Sequence, residues 1–371
     1  DWDVEMDAAQ AAHVIGRRVT GRSGADPMVV EQVADRLRES SNPVMVAGPD
    51  IDASGAWKEA IALAENLNLP VWASPAPGGG RIGFPESHRN YRGVLPPAIG
   101  PVGETLREYD LVLVVGSSVF PYYPYFPGEF LAEGTKLIAI TSDPDEAARA
   151  PMGDAIVADV KLTLAALIEA AGTNDREPPS VLPEAPEMEI SDPLSPSTVC
   201  RILNEKLPDD AIIVLESPSS TMSLRNQLRI SKPNSYFFGA GGGLGFGLSA
   251  AIGIQIAEPD RQVVCVIGEG SVQYAVAAFW TAVAYKVPVT FLVMRNEEYA
   301  ILKWFADIEN VPNSPGLDLP ALESADIAAG YGLGIAKANS VDDVGAAIEE
   351  ALADTMPRLV EVPVQPGMSL F

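Results

Sequence analysis

The chain has 371 residues, 47% of them hydrophobic, so it is long enough for two domains with separate cores. Its 50 acidic residues outnumber 25 basic ones, and the net charge of −25 argues against nucleic acid or anionic membranes as partners, since both attract basic surfaces. Few of the basic residues are lysines, a composition typical of halophilic surfaces that stay hydrated in high salt, with an ordinary acidic cytosolic enzyme as the alternative.

The first 172 residues alternate between apolar runs typical of buried strands and apolar spacing typical of helices. This alternation predicts an α/β domain over 1–172 that is doubly wound around a mainly parallel sheet. The predicted helices span 28–38, 55–66 and 160–171. The predicted strands span 43–47, 69–73, 111–115 and 137–140.

Residues 173–197 are rich in proline and acids and lack a periodic apolar pattern, so they are predicted to form a linker. A second doubly wound α/β domain is predicted over 198–371. Its predicted strands span 211–215, 263–267, 289–294 and 358–362, with a helix over 248–256. The longest apolar stretch, 275–294, contains Lys286 and Pro288 and is therefore interpreted as helix, turn and strand, not as a membrane span.

Both cysteines lie within apolar runs. Cys200 belongs to a predicted helix, and Cys265 lies in the middle of a predicted core strand. We therefore expect two small buried side chains and no disulfide framework. Because no secretory signal pattern is present either, the expected location is the cytoplasm.

One crossover in the second domain is the most informative motif. The strand 263–267 runs into Gly268-Glu269-Gly270-Ser271, and the strand 289–294 ends at Arg295-Asn296, 27 positions after Glu269. This length fits one β-α-β unit, whose ligands bind beyond the carboxyl ends of the strands. A helix opening near Ser271 would offer N–H groups to a phosphate, and a carboxylate beside a phosphate is favourable only with a cation between them. Glu269 and Asn296 are therefore candidate Mg²⁺ ligands, with an ordinary turn as the alternative.

Three further stretches are candidates for a site. Hydroxyl groups in 217–221 follow a strand and suit either phosphate oxygens or a helix N-cap. Six glycines within 239–247 indicate either a backbone that a ligand approaches closely or a flexible loop, and Leu244 is the one bulky aliphatic side chain among them. His88 lies in a loop and can exchange protons near neutral pH.

These motifs resemble the signature of the thiamine-diphosphate-dependent enzymes, a Gly-Asp-Gly turn followed by Asn-Asn. Five runs are similar to the benzoylformate decarboxylase branch of that family, and the run at 146–159 is specific to it. They are Gly-Pro-Asp at 48–50, Phe-Pro-x-x-His at 84–88, the acidic and apolar run at 146–159, Gly-Gly-Leu-Gly-Phe at 242–246 and Leu-x-Trp-Phe at 302–305. The resemblance extends over nearly the whole chain.

The resemblance implies a non-oxidative decarboxylation of a 2-keto acid to an aldehyde and CO₂ that depends on Mg²⁺ and thiamine diphosphate. It implies metal ligation by Glu269, Asn296 and the backbone carbonyl of Glu298. The other cofactor-binding residues that it implies are Ser219, Gly242, Leu244, Gly268, Gly270, Ser271 and Tyr299. His88 matches a histidine that relays protons. The substrate pocket would be lined by Ile301, Leu302 and Phe305, on a helix face for which core packing is the more common role.

Three positions depart from the pattern of the family. The acid of the signature is Glu269 instead of aspartate, and the first residue of the Asn pair is Arg295. The family's small pocket residue is Ile301 here, which narrows the expected pocket. We therefore expect short or branched 2-keto acids to fit better than aromatic ones.

The family also carries an N-terminal pyrimidine-binding domain, which contains the activating glutamate, and its active sites form between subunits. No such domain is recognised in the chain. We therefore expect turnover to need this domain, from a preceding segment or from another subunit, in a homodimer or homotetramer. Two alternatives stay open: a carboligase similar to acetolactate synthase, and a non-catalytic subunit.

Overall fold

The computed structural model describes residues 3–15, 18–75, 80–119, 125–181 and 190–368. These residues form two six-stranded sheets in which every neighbouring pair of strands is parallel, each sheet being flanked by helices. The predicted fold class, α/β with two doubly wound units, is confirmed. Part of the predicted linker, 182–189, lies outside the described residues. Within the described part of the chain, every helix is too short or too polar to cross a membrane.

The first unit contains six strands and seven helices. The strands are β1 (Pro43–Ala47), β2 (Val71–Ala73), β3 (Tyr91–Val94), β4 (Leu111–Val115), β5 (Lys136–Thr141) and β6 (Asp154–Val157). The helices are α1 (Ala8–Ile15), α2 (Pro27–Glu39), α3 (Pro49–Ala53), α4 (Trp57–Asn66), α5 (Ile99–Thr105), α6 (Pro144–Arg149) and α7 (Val160–Ala171). The strand order in the sheet is β3-β2-β1-β4-β5-β6.

The second unit contains the remaining strands and helices. The strands are β7 (Ile212–Glu216), β8 (Tyr236–Phe238), β9 (Val263–Gly268), β10 (Thr290–Arg295), β11 (Gly334–Lys337) and β12 (Arg358–Pro363). The helices are α8 (Pro196–Lys206), α9 (Thr221–Gln227), α10 (Gly247–Ala257), α11 (Glu269–Val272), α12 (Ala278–Ala284), α13 (Ala300–Ile308), α14 (Ser324–Tyr331) and α15 (Val341–Ala353). The strand order is β11-β12-β10-β9-β7-β8.

The central strands form where the sequence has continuous β-branched and aliphatic runs. Every residue of β1 and β4 is buried, as expected for parallel strands covered by helices on both faces. The helices begin at capping residues. At the start of α2, for example, the Asp26 carboxylate accepts a hydrogen bond from the Met28 N–H, and Pro27 occupies the first turn, where its missing N–H costs nothing.

Several short elements differ from the sequence prediction. Strands β3, β6, β8 and β11 were not predicted, and β6 and β11 are exposed or half-buried along their length, so they lack the apolar run that marks a buried strand. The helix predicted over 55–66 is preceded by a separate short helix, α3. Helix α8 begins at Pro196, inside the predicted linker, where the Ser195 hydroxyl caps the Thr198 N–H.

Two glycines bring the loops after β1 and β4 into direct contact. The order of the first sheet reverses between these strands, the place where sheets of this kind usually open a crevice. A Cβ on Gly48 would lie 2.2 Å from the carbonyl oxygen of Gly116, and one on Gly83 would lie 2.1 Å from the Gly48 carbonyl oxygen. The backbones of these loops are therefore in direct contact at the reversal of the strand order.

The two units share a hydrophobic core. One continuous cluster of buried side chains includes Leu37 and Leu63 of the first unit together with Val199, Leu224 and Leu228 of the second. A separate cluster covers the other face of the second sheet, and a third covers the other face of the first. Since apolar burial is continuous between the units, they are packed as one body.

Candidate active site

The strand order of the second sheet reverses between β7 and β9, which are neighbours in the sheet. At such a reversal the connections leave in opposite directions, and ligands bind beyond the carboxyl ends of the strands. Strand β7 ends at Glu216, which pairs with Ile267, and β9 ends at Gly268. The hydroxyl oxygens of Ser271 and Ser217 lie 3.8 and 4.0 Å from the position of a Cβ on Gly268. Polar groups from both strand ends therefore converge here.

Glu269 is the buried carboxylate of this edge, with 1% of its surface exposed. Its Oε1 accepts a hydrogen bond of 2.6 Å from the Glu297 N–H, in the turn that follows β10. Burial raises the pKa of the Glu269 carboxyl, while backbone N–H groups and the charge of Arg295 act in the opposite direction. The carboxylate thus joins the ends of β9 and β10, as the sequence motif predicts.

Asn296 and Glu298 lie in the same turn. The Asn296 side-chain oxygen accepts a hydrogen bond of 3.3 Å from the Glu298 N–H. The Glu298 carboxylate is engaged elsewhere, by the Lys303 ammonium and by the Gly367 N–H at 2.6 Å. Glu298 also pairs with Asp318 in an antiparallel bridge. The side chain of Glu298 therefore anchors the turn, and its backbone carbonyl is the group through which it could bind a metal.

The donor set at this turn fits Mg²⁺. It consists of one carboxylate, one amide oxygen and one backbone carbonyl, all hard oxygen ligands, and Mg²⁺ typically completes such partial sets with phosphate oxygens and water. No group of three or more His, Cys, Asp or Glu side chains able to hold a metal occurs among the described residues. The site therefore suits a metal that is bound together with a phosphorylated ligand, not a metal enclosed by protein alone.

Glu297 adopts a left-handed backbone conformation, with φ of 60°, which is rare for a residue with a Cβ. This conformation directs its N–H to Glu269, and its carbonyl accepts a hydrogen bond of 2.7 Å from the Leu319 N–H. Such strain of about 1–3 kcal/mol persists only where the surroundings impose it. The turn between Asn296 and Tyr299 is therefore held by both neighbouring segments.

Gly270 is required by the ring that covers it. A Cβ at this position would lie 2.5 Å from Cε1 of Tyr299. Tyr299 is half-buried, and Ser271 is buried beside it in the single turn α11, where the sequence predicted a longer helix. Tyr299, Gly270 and Ser271 are thus brought together, as the implied cofactor site requires.

Glu216, at the end of β7, binds the glycine-rich loop through hydrogen bonds. Its two carboxylate oxygens accept hydrogen bonds from the N–H groups of Gly245, at 2.7 Å, and of Gly247. Burial raises the pKa of the Glu216 carboxyl, and the two backbone donors oppose this shift. Gly242 has a φ of 68° and is exposed, and Leu244 is half-buried in the same loop. Sequence reasoning missed Glu216, although an acid that directly follows a buried strand was the signal that identified Glu269.

Replacing Glu216 with alanine should destabilise the protein by about 1–3 kcal/mol, because the buried Gly247 N–H would lose its acceptor. Urea unfolding followed by tryptophan fluorescence measures this change. Asp209→Ala, an exposed acid shortly before the same strand, is the matched control, and we expect it to change the free energy of unfolding by less than about 0.5 kcal/mol. Equal effects of the two substitutions would show that Glu216 does not hold the loop.

Ser219 lies in a short 3-10 turn, Pro218–Ser220, directly after β7. It is half-buried, whereas Ser217 and Ser220 on either side are buried. Helix α13 lies against this turn. The turn continues directly into α9. The two alternatives for the hydroxyl groups, contact with a phosphate and capping of a helix, therefore involve the same residues.

His88 lies in the first unit and is held by three contacts. Its Nδ1 accepts a hydrogen bond of 3.2 Å from the Asn90 N–H, its Nε2 lies 3.3 Å from Oε1 of Glu65, and its ring packs edge-on against Phe84. The bond to Asn90 places the ring proton on Nε2. In the described part of the chain, none of its hydrogen bonds reaches the turn around Glu269.

The predicted pocket residues lie on α13. Leu302 is 46% exposed, whereas Ile301 and Phe305 are half-buried. A groove of about 240 Å³ runs beside this helix. It is lined by Leu302, Phe305, Ala306, Glu309, Val311, Ser314 and Leu317. The structure thus brings Leu302 and Phe305 to one groove and leaves Ile301 outside its lining.

Two regions of the chain match known protein families. Residues 30–167 match the thiamine pyrophosphate enzyme central domain, and residues 218–362 match the thiamine pyrophosphate enzyme C-terminal TPP binding domain. The second match contains every residue of the turn described above.

Individual relatives are similar over nearly the whole chain. Benzoylformate decarboxylase of Pseudomonas aeruginosa is 43% identical over 98% of this chain and 69% of that protein. The thiamine diphosphate-dependent 4-hydroxybenzoylformate decarboxylase of Rhodococcus jostii superposes with a TM-score of 0.93 at 39% identity, covering 97% of this chain and 68% of that one. Benzoylformate decarboxylase of Polynucleobacter necessarius gives 0.93 at 35% identity, covering 99% and 68%. The chain therefore spans about two thirds of the length of these relatives.

Proposed function

Because the chain belongs to the thiamine pyrophosphate enzyme family, we propose that it catalyses the thiamine diphosphate-dependent, non-oxidative decarboxylation of a 2-keto acid to an aldehyde and CO₂. The observation that carries this function is the turn at the ends of β9 and β10, where the Glu269 carboxylate accepts a hydrogen bond from the Glu297 N–H, directly after Asn296. The identity of 43% to a benzoylformate decarboxylase over nearly the whole chain supports the reaction class.

Each polar group of the site has a role in this proposal. Glu269, Asn296 and the Glu298 carbonyl would hold Mg²⁺, which would supply the positive charge needed between the diphosphate and the carboxylate. Gly268 and Gly270 let the backbone approach the diphosphate closely. The hydroxyl groups along the diphosphate belong to Ser219, Ser271 and Tyr299.

The glycine-rich loop orients the rest of the cofactor. The Gly242 carbonyl would accept a hydrogen bond from the aminopyrimidine of the cofactor, and Leu244 would pack against the cofactor. When bound, thiamine diphosphate supplies an electron sink for the charge left as CO₂ departs. The protein supplies the fixed geometry, since the Glu216 carboxylate holds the loop that carries both residues.

His88 relays protons in this proposal. Because Nδ1 accepts from the Asn90 N–H, the Nε2–H is the group that can donate a proton, and it is aligned with the Glu65 carboxylate. An imidazole ring is suited to both accepting and returning a proton.

The helix α13 decides which substrate side chain fits. Ile301, Leu302 and Phe305 line the pocket in this proposal, and Ile301 narrows it. Replacing Ile301 with alanine should raise kcat/KM for phenylglyoxylate about 10-fold relative to a short 2-keto acid, because removing methylene groups from an apolar pocket changes discrimination by about 1–3 kcal/mol. Steady-state kinetics with both substrates measures the ratio, and Ile256→Ala, which shortens an exposed aliphatic side chain on α10, is the control. An unchanged ratio would place Ile301 outside the pocket.

Turnover requires polypeptide beyond these 371 residues in this proposal. The chain spans about two thirds of its relatives, and a pyrimidine-binding domain, from the same or another subunit of a homodimer or homotetramer, completes the site. The net charge of −25 supports a cytoplasm of high salt as the working environment. Measuring activity at increasing salt concentrations tests whether the protein works in high salt.

The reaction itself is tested by supplying the complementary domain and measuring CO₂ release from phenylglyoxylate and from shorter 2-keto acids. We expect release that depends on both Mg²⁺ and thiamine diphosphate, with free aldehyde as the second product. Hydroxyketones in place of aldehyde would indicate carboligation. No CO₂ from any substrate would contradict the proposed function.

A further inference from the structure

A segment of the first unit, Gly80–His88, is fastened to the second unit at both of its ends; we call it the bridging segment. At its start, the Gly80 carbonyl accepts a hydrogen bond of 3.0 Å from the Phe238 N–H. Phe238 is the last residue of β8, and the glycine-rich loop begins directly after it. The start of the bridging segment is thus tied to the loop that carries Gly242 and Leu244.

A charged cluster reinforces this first attachment. Arg81 donates to the Asp52 carboxylate at 3.0 Å and to the Asn234 side-chain oxygen at 2.8 Å, and its guanidinium lies 4.7 Å from the centre of the Phe237 ring. Asp52 is buried and also accepts a hydrogen bond of 2.9 Å from the Asn234 N–H. Asp52 and Arg81 belong to the first unit, and Asn234 and Phe237 to the second.

The other attachment is a buried ion pair. Glu86 and Arg225 have 0% and 4% of their side-chain surface exposed, and the Arg225 Nη2 lies 2.7 Å from Oε1 of Glu86. The Tyr91 hydroxyl donates to the same oxygen at 2.9 Å, and the Ile230 N–H donates to Oε2 at 3.0 Å. The Glu86 N–H in turn donates to the Ile230 carbonyl at 2.8 Å. Both oxygens of the buried carboxylate are therefore occupied by the second unit or by the same loop.

This ion pair connects two parts of the proposed active site. Glu86 precedes His88 by two residues, and the His88 N–H closes the turn by donating to Pro85 at 3.1 Å. Arg225 lies on α9, the helix that continues from the turn containing Ser219. An ion pair buried to this extent contributes little net stability compared with apolar packing, but it does fix one relative arrangement of the groups that carry it.

We propose that Glu86 and Arg225 are positioning residues that fix the loop of His88 relative to α9 and to the turn that contains Ser219. The inference rests on the proposed function, because it assumes that His88 transfers protons at the site. A displacement of about 1 Å in a reacting group can reduce turnover by two orders of magnitude, so a loosened loop should be seen first in kcat.

The kinetic test is Glu86→Gln in the complete enzyme, with kcat expressed per cofactor-loaded site. Glutamine keeps the size of the side chain but removes the charge that pairs with Arg225. We expect kcat to fall at least about 10-fold, while KM and the Kd of thiamine diphosphate change less than about threefold. Arg225→Lys, which keeps the charge and loses the fork of donors, should behave similarly. Glu104→Gln removes a carboxylate from the exposed ion pair with Arg107 and is the matched control with unchanged kinetics.

A second readout is independent of activity. The chain contains two histidines, so selective ¹⁵N labelling gives two imidazole signals that are simple to assign. His13 is exposed on α1, far along the chain from the bridging segment. In Glu86→Gln, the ring signals of His88 should shift or broaden as its Nδ1 loses the fixed Asn90 donor, while those of His13 stay unchanged.

The outcomes separate this inference from the function on which it rests. Unchanged kcat and unchanged His88 signals in Glu86→Gln would overturn the inference and leave the role of His88 standing. An equal loss of kcat and of cofactor affinity in the folded fraction of Glu86→Gln would also overturn it, since that pattern indicates a structural role alone. A His88→Ala enzyme with the kcat of the parent would overturn the role of His88 and this inference together.

Discussion

Replacing Glu269 with alanine should weaken the binding of thiamine diphosphate, measured at saturating Mg²⁺, by at least about 100-fold. The loss of a residue that merely supports a metal ligand typically costs 10–100-fold in metal affinity, and Glu269 is the one carboxylate among the proposed ligands. The side chain is buried at the end of β9 and bonded to the Glu297 N–H, so alanine would remove both a ligand and the link to the turn after β10. Titration calorimetry, or quenching of tryptophan fluorescence, measures the affinity.

Two further variants give this experiment its controls. Glu269→Asp keeps the carboxylate but shortens it by one methylene group, so we expect partial retention of affinity. Glu258→Gln removes an exposed acid at the end of α10 and should leave affinity unchanged. If Glu269→Ala bound the cofactor as tightly as the parent protein, the metal site would have to lie elsewhere.

Replacing Arg225 with methionine should lower the free energy of unfolding by about 3–5 kcal/mol, because Glu86 would remain as a buried carboxylate without its cation. The pair is enclosed by both units, and Arg225 also lies 5.2 Å from the centre of the Tyr236 ring. Urea or guanidinium unfolding followed by circular dichroism measures the change. The effect should exceed that of Glu216→Ala, in which no charge is left unpaired.

The comparison with other pairs makes the result interpretable. Arg107→Met breaks an exposed pair and should leave the free energy of unfolding nearly unchanged, since water already screens this pair. The double variant Glu86→Met with Arg225→Met should recover part of the loss, because no charge stays buried, although the Ile230 N–H still lacks its acceptor. A loss below about 1 kcal/mol for Arg225→Met would mean that water reaches the Glu86 carboxylate.

The sheet-forming strands were predictable because their sequences are continuously apolar. Strands β1 and β4 have the predicted bounds, β9 is one residue longer than predicted, and β10 is shifted by one residue at both ends. The turn at Glu269 and Asn296 was also predictable, since a polar residue at the end of a buried strand must lie at the edge of the sheet. Continuous apolar runs thus identify the core strands, and the polar residues at the ends of these runs are the proposed metal ligands.

The features that the sequence does not predict depend on contacts between distant parts of the chain. Nothing in the local sequence pairs Glu86 with Arg225, which are separated by 139 positions. The left-handed conformation of Glu297 is set by Glu269 and Leu319, and local preference alone argues against it. Strand β8 has only three residues, and β6 is largely exposed, so neither carries the apolar run on which strand prediction relies.

The contact between Gly48 and Gly116 changes what the first unit can be used for. Its strand order is that of a dinucleotide-binding fold, and the backbones of the two loops at the reversal of that order are in direct contact. The loop that follows β2 instead reaches the second unit, where the Gly80 carbonyl accepts a hydrogen bond from the Phe238 N–H. In the proposed function, a fold associated with binding a cosubstrate instead supports the loop that carries His88.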